Sequence, residues 1–398
     1  MAEQQTAAKV TVAKAKPAST TSNNTVLESG VKAAIIAIGQ GGYGFGSRLV
    51  KRPFGDPSRF IALNYKSDLR AAELVPEENR ISINENSFGA GKNRNKSKAD
   101  ITQRAGEILP ILAEKLGTEY DVVFVCYSLD GGTGSAAGVI IQALLGSDAF
   151  PKKRGRAVPI IGIPIIPSHD VGLDAKINEE AALKDISPLI INRNITSIAV
   201  DLNSHSEIAD PIKRYAKVDE QAADLIYRFF CLNYLGTSNL DFEDRYVIES
   251  TPRLHCLVTF DPDSGKWESP FLLPKGMLVN RVAAEIPEGS DTIRDKIISA
   301  LGCTVSEKAF CGYYPSSSVA DGAYPILDFA GFNFPEAILA KVQGEISELM
   351  QKAEAQKKAD AEKVARSFDM LQENQDYVEE QNSVKSVGGL EDILNCMG

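Results

Sequence analysis

Five short runs between residues 33 and 202 are almost wholly apolar: AAIIAIG, RFIALN, DVVFVCYS, AVPIIGIPII and TSIAVDL. None alternates polar with apolar residues, so each reads as a strand buried on both faces. Longer stretches with helical periodicity separate them. That alternation is the signature of an α/β chain, a parallel sheet with helices on both sides. Sheets of this kind take their ligands in the loops after the carboxyl ends of the strands, so the chemistry is to be sought in the segment that comes after each run.

Those segments are rich in glycine. The first run leads into GQGGYGFG, with Gly39, Gly41 and Gly44 in a Gly-x-Gly-x-x-Gly spacing, then into a helical stretch. Glycine lets a ligand approach the main chain closely, and a helix N-terminus offers free N–H groups and a positive dipole end. Alone, this spacing most often means a dinucleotide fold, which expects an acid about 20 residues on; FIALNYKSD presents Asn64 there. A Walker A lysine loop is absent from the sequence. A second bare segment, FGAGKN, and a third, DGGTGS, lie further along. Together these loops read as a cradle in which backbone amides hold a di- or triphosphate, assisted by the Thr133 and Ser135 hydroxyls. The residues assigned to it are Gly39, Gln40, Gly41, Gly42, Tyr43, Asn64, Gly89, Ala90, Gly91, Lys92, Asn93, Asp130, Gly131, Gly132, Thr133, Gly134 and Ser135.

The chain divides into five stretches. Residues 1–28 read as a disordered tail, 29–210 as the phosphate-binding α/β domain, and 211–236 as a long central helix with apolar residues Ile212, Ala216, Ala223, Ile226 and Phe230 on one face. Residues 237–332 read as a second, smaller α/β domain: strands RLHCLVTFDP, MLVNRVAAEI, KAFCGYYP and AYPILDFA around a helix, SDTIRDKIISALG. Residues 333–398 read as a long helix and tail; Ile338, Val342, Ile346 and Leu349 dock its first half, and its Ala- and charge-rich second half is solvated. A net charge of −10 argues against direct nucleic-acid binding. The longest apolar stretch, VPIIGIPIIP, is too short to span a bilayer. The N-terminal residues lack the apolar core of a secretory signal, and six scattered cysteines fit a reducing cytoplasm better than a disulfide framework or structural zinc.

GGTGS after a strand, GQGGYG before it, and SNLDFEDRYV just after the long helix together resemble the tubulin/FtsZ superfamily of filament-forming GTPases. The resemblance runs in order over about residues 30–340, although only the loops are specific. It implies GTP and GDP as ligands, with Mg²⁺, and a catalytic loop carrying Asn239, Asp241 and Asp244. It also implies Asp219 as the guanine-binding acid, Tyr215 stacking on the base, Asn203 contacting it, and Asp170 near the ribose. The chemistry of Asp219 is sound, because a carboxylate accepts from both N1–H and the exocyclic amine of guanine.

There are departures. Asp130 and Ala136 stand where the superfamily signature has its first and last glycines, and GAGKNRNKS is more basic than in the division proteins, so that Lys92 or Arg94 is expected near a γ-phosphate. An acid beside a polyphosphate repels it unless a cation intervenes, so Asp130 is expected to point away or to help hold the metal. The C-terminal plan resembles the TubZ and phage-tubulin branch, which moves plasmid or phage DNA; a cell-division role is the alternative, and a dinucleotide-dependent oxidoreductase the remote one. In the resembled family the catalytic loop acts on the nucleotide of the next subunit in a head-to-tail filament. Self-association is therefore the expected partnership, with an adaptor for DNA at the C-terminal tail as a further one.

Overall fold

The computed structural model describes residues 31–117, 120–146, 152–153, 156–192, 195–232, 242–261, 264–271, 278–286, 304–315 and 326–386, with Ser299 and Gly302. The N-terminal tail, the tail after 386 and most of the expected helix at 290–302 lie outside them. In chain order the elements are β1 (Ala33–Ile38), α1 (Gly39–Leu49), β2 (Gly55–Asn64), α2 (Lys66–Leu69), β3 (Arg80–Ser82), α3 (Arg94–Leu116), β4 (Val122–Ser128) and α4 (Val139–Leu145). Next come β5 (Lys152–Lys153), β6 (Arg156–Ala157), β7 (Ile160–Ile166), α5 (Leu173–Asn192), β8 (Thr196–Ile198), β9 (Val200–Asp201), α6 (Pro211–Leu232) and α7 (Phe242–Glu249). The rest are β10 (Arg253–Phe260), β11 (Trp267–Glu268), β12 (Leu278–Ile286), β13 (Thr304–Pro315), β14 (Ile326–Phe332) and α8 (Glu336–Ser386).

One sheet carries both α/β stretches, in the order β13-β12-β14-β10-β8-β7-β4-β1-β2-β3. From β8 to β3 every pairing is parallel. β8 joins β10 in parallel at Thr196–Ile198 against Arg253–His255, and β14 then runs antiparallel to both β10 and β12. The boundary read between residues 210 and 237 thus falls along a continuous sheet.

Both faces of the parallel half are covered, which is why its strands show no polar alternation. Ala34, Ile36 and Ile38 of β1 face a core shared with α3, α4, α5 and Val342 of α8. Ala33, Ile35 and Ala37 face a second core shared with α1 and α6. Full burial of each large apolar side chain contributes roughly 1.5–3 kcal/mol. In the second core Phe124 meets Phe230 edge to face at 5.2 Å, and Phe54 stacks on Tyr227 at 5.2 Å. Gln142, buried on α4, donates to Thr196 O (2.9 Å) and Ser197 Oγ (2.8 Å) and so ties α4 across the sheet to β8. At the antiparallel end, buried His255 faces Asp328 through Nδ1 at 2.8 Å and Thr251 O through Nε2 at 2.9 Å.

Ile212 corrects the expected apolar face of the central helix: it is 80% exposed. Ala223, Ile226 and Phe230 are buried as expected, Ala216 is half-buried, and Val218, Ala222, Leu225 and Phe229 complete the buried face. For α8 the expectation agrees with the structure. Val342 is buried with Ile338 and Ile346 packed nearby, whereas every residue from 351 to 367 is exposed. The docked half also seals a buried charge: Lys176 of α5 pairs with Glu179 (2.8 Å) and with Glu345 of α8 (2.7 Å).

Candidate functional site

The glycine segments meet at the carboxyl ends of β1, β2 and β4. They line one cleft of about 440 Å³ with Asn64, Asp68, Ser128, Ile165, Leu202, Tyr215 and Asp219. The volume is that of a small-molecule site. From the three segments the lining residues are Gly39, Gln40, Gly41 and Gly44; then Ala90, Gly91 and Lys92; then Asp130, Gly131, Gly132, Thr133 and Gly134.

Close packing of main chain explains why Gly132 and Gly134 are bare. A Cβ on Gly134 would lie 2.7 Å from Ser128 O and 3.0 Å from Ser128 N, both strand backbone. One on Gly132 would lie 2.9 Å from Lys92 C and 3.0 Å from Asn93 N, so the second and third segments touch through their backbones. Lys92 itself has φ of 60°, an uncommon conformation for a side chain other than glycine, asparagine or aspartate. It is held by Asn178 of α5, whose Nδ2 donates to Lys92 O (2.8 Å) and Asp130 O (3.1 Å). Asn93 then caps α3, its Oδ1 accepting from Lys96 N at 3.0 Å. Two helical N-termini therefore open onto the cleft: α1, and the single π-turn Gly134–Gly138 that runs into α4. The first N–H groups of such turns have no intrahelical partner and favour an anion.

The other end of the cleft is made of side chains on α6. Tyr215 lies at its wall beside Arg214, whose guanidinium stands 5.7 Å from the Tyr215 ring centre. Asp219, one turn on, is mostly buried, with 13% of its side chain exposed, and forms an ion pair with Arg48 of α1 at 3.0 Å. Burial pushes its carboxyl up to about 6, against the pull of Arg48.

Several residues assigned from sequence take other places. Gly42 packs α1 onto β4, where a Cβ would lie 2.1 Å from Cys126 O. Tyr43 stacks on Phe60 at 5.9 Å, and Ser135 donates to Gly131 O within the turn. Gly89 accepts from Lys96 Nζ behind the second segment. The Asn203 amide is engaged in its own loop, donating to Pro167 O (3.0 Å) and Asp201 Oδ1 (2.7 Å) and accepting from His169 N (2.9 Å). Asp170, half exposed, pairs with Arg214 at 2.7 Å, which lowers its pKa. Asp130 lines the cleft, but its carboxylate accepts from the Ser128 hydroxyl. Arg94 is buried against Asp185. Asn239 and Asp241 lie outside the described residues, and Asp244 falls in α7. Sequence reading missed Arg48, Asn178, Asp68 and Ser128. Only Asn178 left a trace, as one of the polar residues in KINEE on a helix that must bury a face.

No family model matches the chain. The tubulin-like protein CetZ of Methanothrix thermoacetophila is 31% identical over 132 residues, covering 32% of this chain and 34% of that protein, so the chain spans about a third of the length of this curated relative. Among solved structures, a tail-truncated TubZ of Clostridium botulinum phage c-st superposes with a TM-score of 0.61 at 18% identity, covering 82% of this chain and 99% of that one. CetZ from Methanosaeta thermophila gives 0.58 at 18% identity, covering 88% and 99%. A GTPγS-form protofilament of TubZ from Bacillus thuringiensis serovar israelensis gives 0.59 at 18% identity, covering 84% and 96%. Among the described residues no helix is long and apolar enough to cross a membrane.

Proposed function

We propose, from the premise that the chain has the fold of the tubulin/FtsZ superfamily, that it binds GTP in this cleft and hydrolyses it to GDP and phosphate on assembling into filaments. One observation carries the reading: three main-chain segments suited to a polyphosphate and one buried carboxylate suited to guanine share a single cleft. Adenine offers no adjacent pair of N–H donors to that carboxylate. An NAD(P) reading loses support because Asn64, not an acid, ends β2.

A magnesium ion borne by the phosphates needs only one or two protein carboxylates. Asp68 and Asp130 are the cleft's candidates at its glycine end, and the ion would neutralise charge developing on the transferred phosphoryl group. Among the described residues no group of three or more His, Cys, Asp or Glu side chains could hold a metal without such help.

In this reading Asn239, Asp241 and Asp244 form the catalytic loop and act on the nucleotide of a neighbouring subunit. Support comes from the length of α6: the 13 residue steps from Asp219 to Leu232 rise about 20 Å at 1.5 Å per residue, so the end of the helix is remote from its own cleft. Head-to-tail contacts that do not close give open filaments, and the B. thuringiensis relative was solved as a GTPγS protofilament. The cellular role we propose is movement of plasmid or phage DNA, with the C-terminal helix and tail contacting an adaptor and the filaments lying in the cytoplasm. The test is GTP turnover per subunit across a concentration series, with light scattering in GTP, GDP and ATP. Turnover should rise steeply where scattering begins; a flat rate through the assembly range refutes the shared site.

A further inference from the structure

The contact between α1 and α6 is a row of charges: Arg48 and Arg52 on one side, Asp219, Glu220 and Asp224 on the other. The row is uneven. Glu220 and Asp224 are about half exposed, and Glu220 is served closely by Arg52 at 2.7 Å, so these outer pairs are screened by water and contribute little. Asp219 is the buried member. Its charged surroundings are Arg48 from α1, Glu220 on its own helix, and the buried Cys126 thiol of β4. Arg48 is the one cation of the described residues paired with it. The same Nη1 of Arg48 donates to Gly44 O at 2.8 Å, so the guanidinium is fixed to the helix that begins the first glycine segment. The described residues direct no hydrogen bond at the Asp219 carboxylate, whose neutralising partner is an ion pair. It faces the cleft charge-balanced but with acceptor capacity to spare.

We infer that Arg48 is a positioning residue for base selection, holding Asp219 ionised and oriented as a two-point acceptor for the N1–H and exocyclic amine of guanine. The inference rests on the guanine-nucleotide reading above. A neutral Asp219 would be a different instrument: its O–H could donate to the bare N1 of adenine, and its preference for guanine would fall. Burial already works against the ionised form, and withdrawing the cation would strengthen that opposition. Stacking on Tyr215, which lines the same cleft, would not distinguish the two purines.

The experiment measures dissociation constants for GDP, IDP and ADP by competition against a fluorescent GDP analogue, from pH 5.5 to 9. Wild-type protein, Arg48→Gln, Arg48→Lys and Asp219→Asn are compared. Wild type should prefer GDP to IDP and ADP at pH 7 and lose that preference below about pH 6. Arg48→Gln should show the same loss displaced toward alkali by about two units. That means about tenfold weaker GDP binding at pH 7, recovering to within about threefold of wild type at pH 9. Arg48→Lys should lie between them, and Asp219→Asn should show no such pH dependence. Weakening of Arg48→Gln by the same factor at every pH overturns the inference, as does GDP preference unchanged at pH 7. If Arg48→Gln does not fold, the curve for Arg48→Lys decides, because an ammonium replaces the charge but not the tie to Gly44. Absence of guanine preference in wild type at pH 7 overturns the functional reading itself and is a separate outcome.

Discussion

Substituting Gly134 with alanine tests whether close main-chain packing and ligand binding are the same property of the third glycine segment. The new Cβ would meet Ser128 O at 2.7 Å, Ser128 N at 3.0 Å and Ile38 O at 3.3 Å. All three atoms belong to β1 and β4, which are paired in parallel up to Ile38 opposite Tyr127 and are buried on both faces. They have nowhere to go. Ordinary carbon-to-oxygen contacts lie at about 3.3–3.6 Å, so the segment must retreat by roughly 0.6–0.9 Å. Overpacking of this kind costs about 1–3 kcal/mol. At roughly 2–4 °C per kcal/mol for domains of 150–250 residues, the melting temperature should drop by several degrees. The same retreat moves the N–H groups of residues 131–134 away from a bound phosphate. Each hydrogen bond to a charged group contributes about 1.5–3 kcal/mol, so losing one weakens binding by about 10- to 150-fold. Gly131→Ala is the control, since its Cβ would meet nothing within 4 Å. Thermal melts without nucleotide and equilibrium titration with a fluorescent GDP analogue read the two effects. If Gly134→Ala matches Gly131→Ala in both, the contact geometry is irrelevant. If it melts early but binds normally, the packing is structural only, and the reasoning fails.

Three further outcomes are expected. Burial pushes the Glu179 carboxyl up to about 7, so the folded protein holds an extra proton between about pH 4.5 and 7 and loses stability as pH rises through that window. The loss is on the order of 1–3 kcal/mol, and melts of Glu179→Gln at pH 5 and pH 8 should differ less than those of wild type; an equal difference removes the argument. A chain ending at residue 350 should melt within about 1 °C of full length, while one ending at 340 should melt several degrees lower. The shorter chain loses Val342 and leaves Lys176 with Glu179 alone, so a buried charge cluster loses one of its two carboxylates; equal melts would show that α8 does not dock. Lys92 lines the cleft next to Gly91, so Lys92→Ala should weaken GTPγS binding at least threefold more than GDP binding; equal weakening would place its ammonium away from a third phosphate.

The features legible in the sequence and those hidden from it divide along the length of the cleft. Strands β1, β4 and β7 were visible because burial on both faces leaves them almost wholly apolar, a property of each segment alone. The glycine segments were visible for a similar reason: Gly132 and Gly134 are bare whichever neighbours press on them. Ile212 misled because helical spacing gives the phase of an apolar stripe but not how far along the helix that stripe is covered. Asn203 and Asp170 were assigned by likeness of position, and position does not tell which way an amide or carboxylate turns in a loop that also needs hydrogen bonds for its own backbone.

Arg48 was invisible for a stronger reason. Its significance is its distance to Asp219, a partner 171 positions along the chain that comes within 3.0 Å only when α1 and α6 share the second core. The same holds for Asn178, which touches two loops from a third element. Backbone recognition of phosphate can thus be written locally, in residues that lack side chains, whereas recognition of a base depends on charged side chains whose ionisation is set by remote partners. Exchanging the glycine segments between two chains of this fold should therefore carry phosphate binding with them. Exchanging Asp219 alone should not carry base preference, because without a cation at the position of Arg48 burial pushes the transplanted carboxyl further toward its neutral form. On the proposed reading base selection belongs to the α1–α6 contact, and only a transplant that includes both helices is expected to move it.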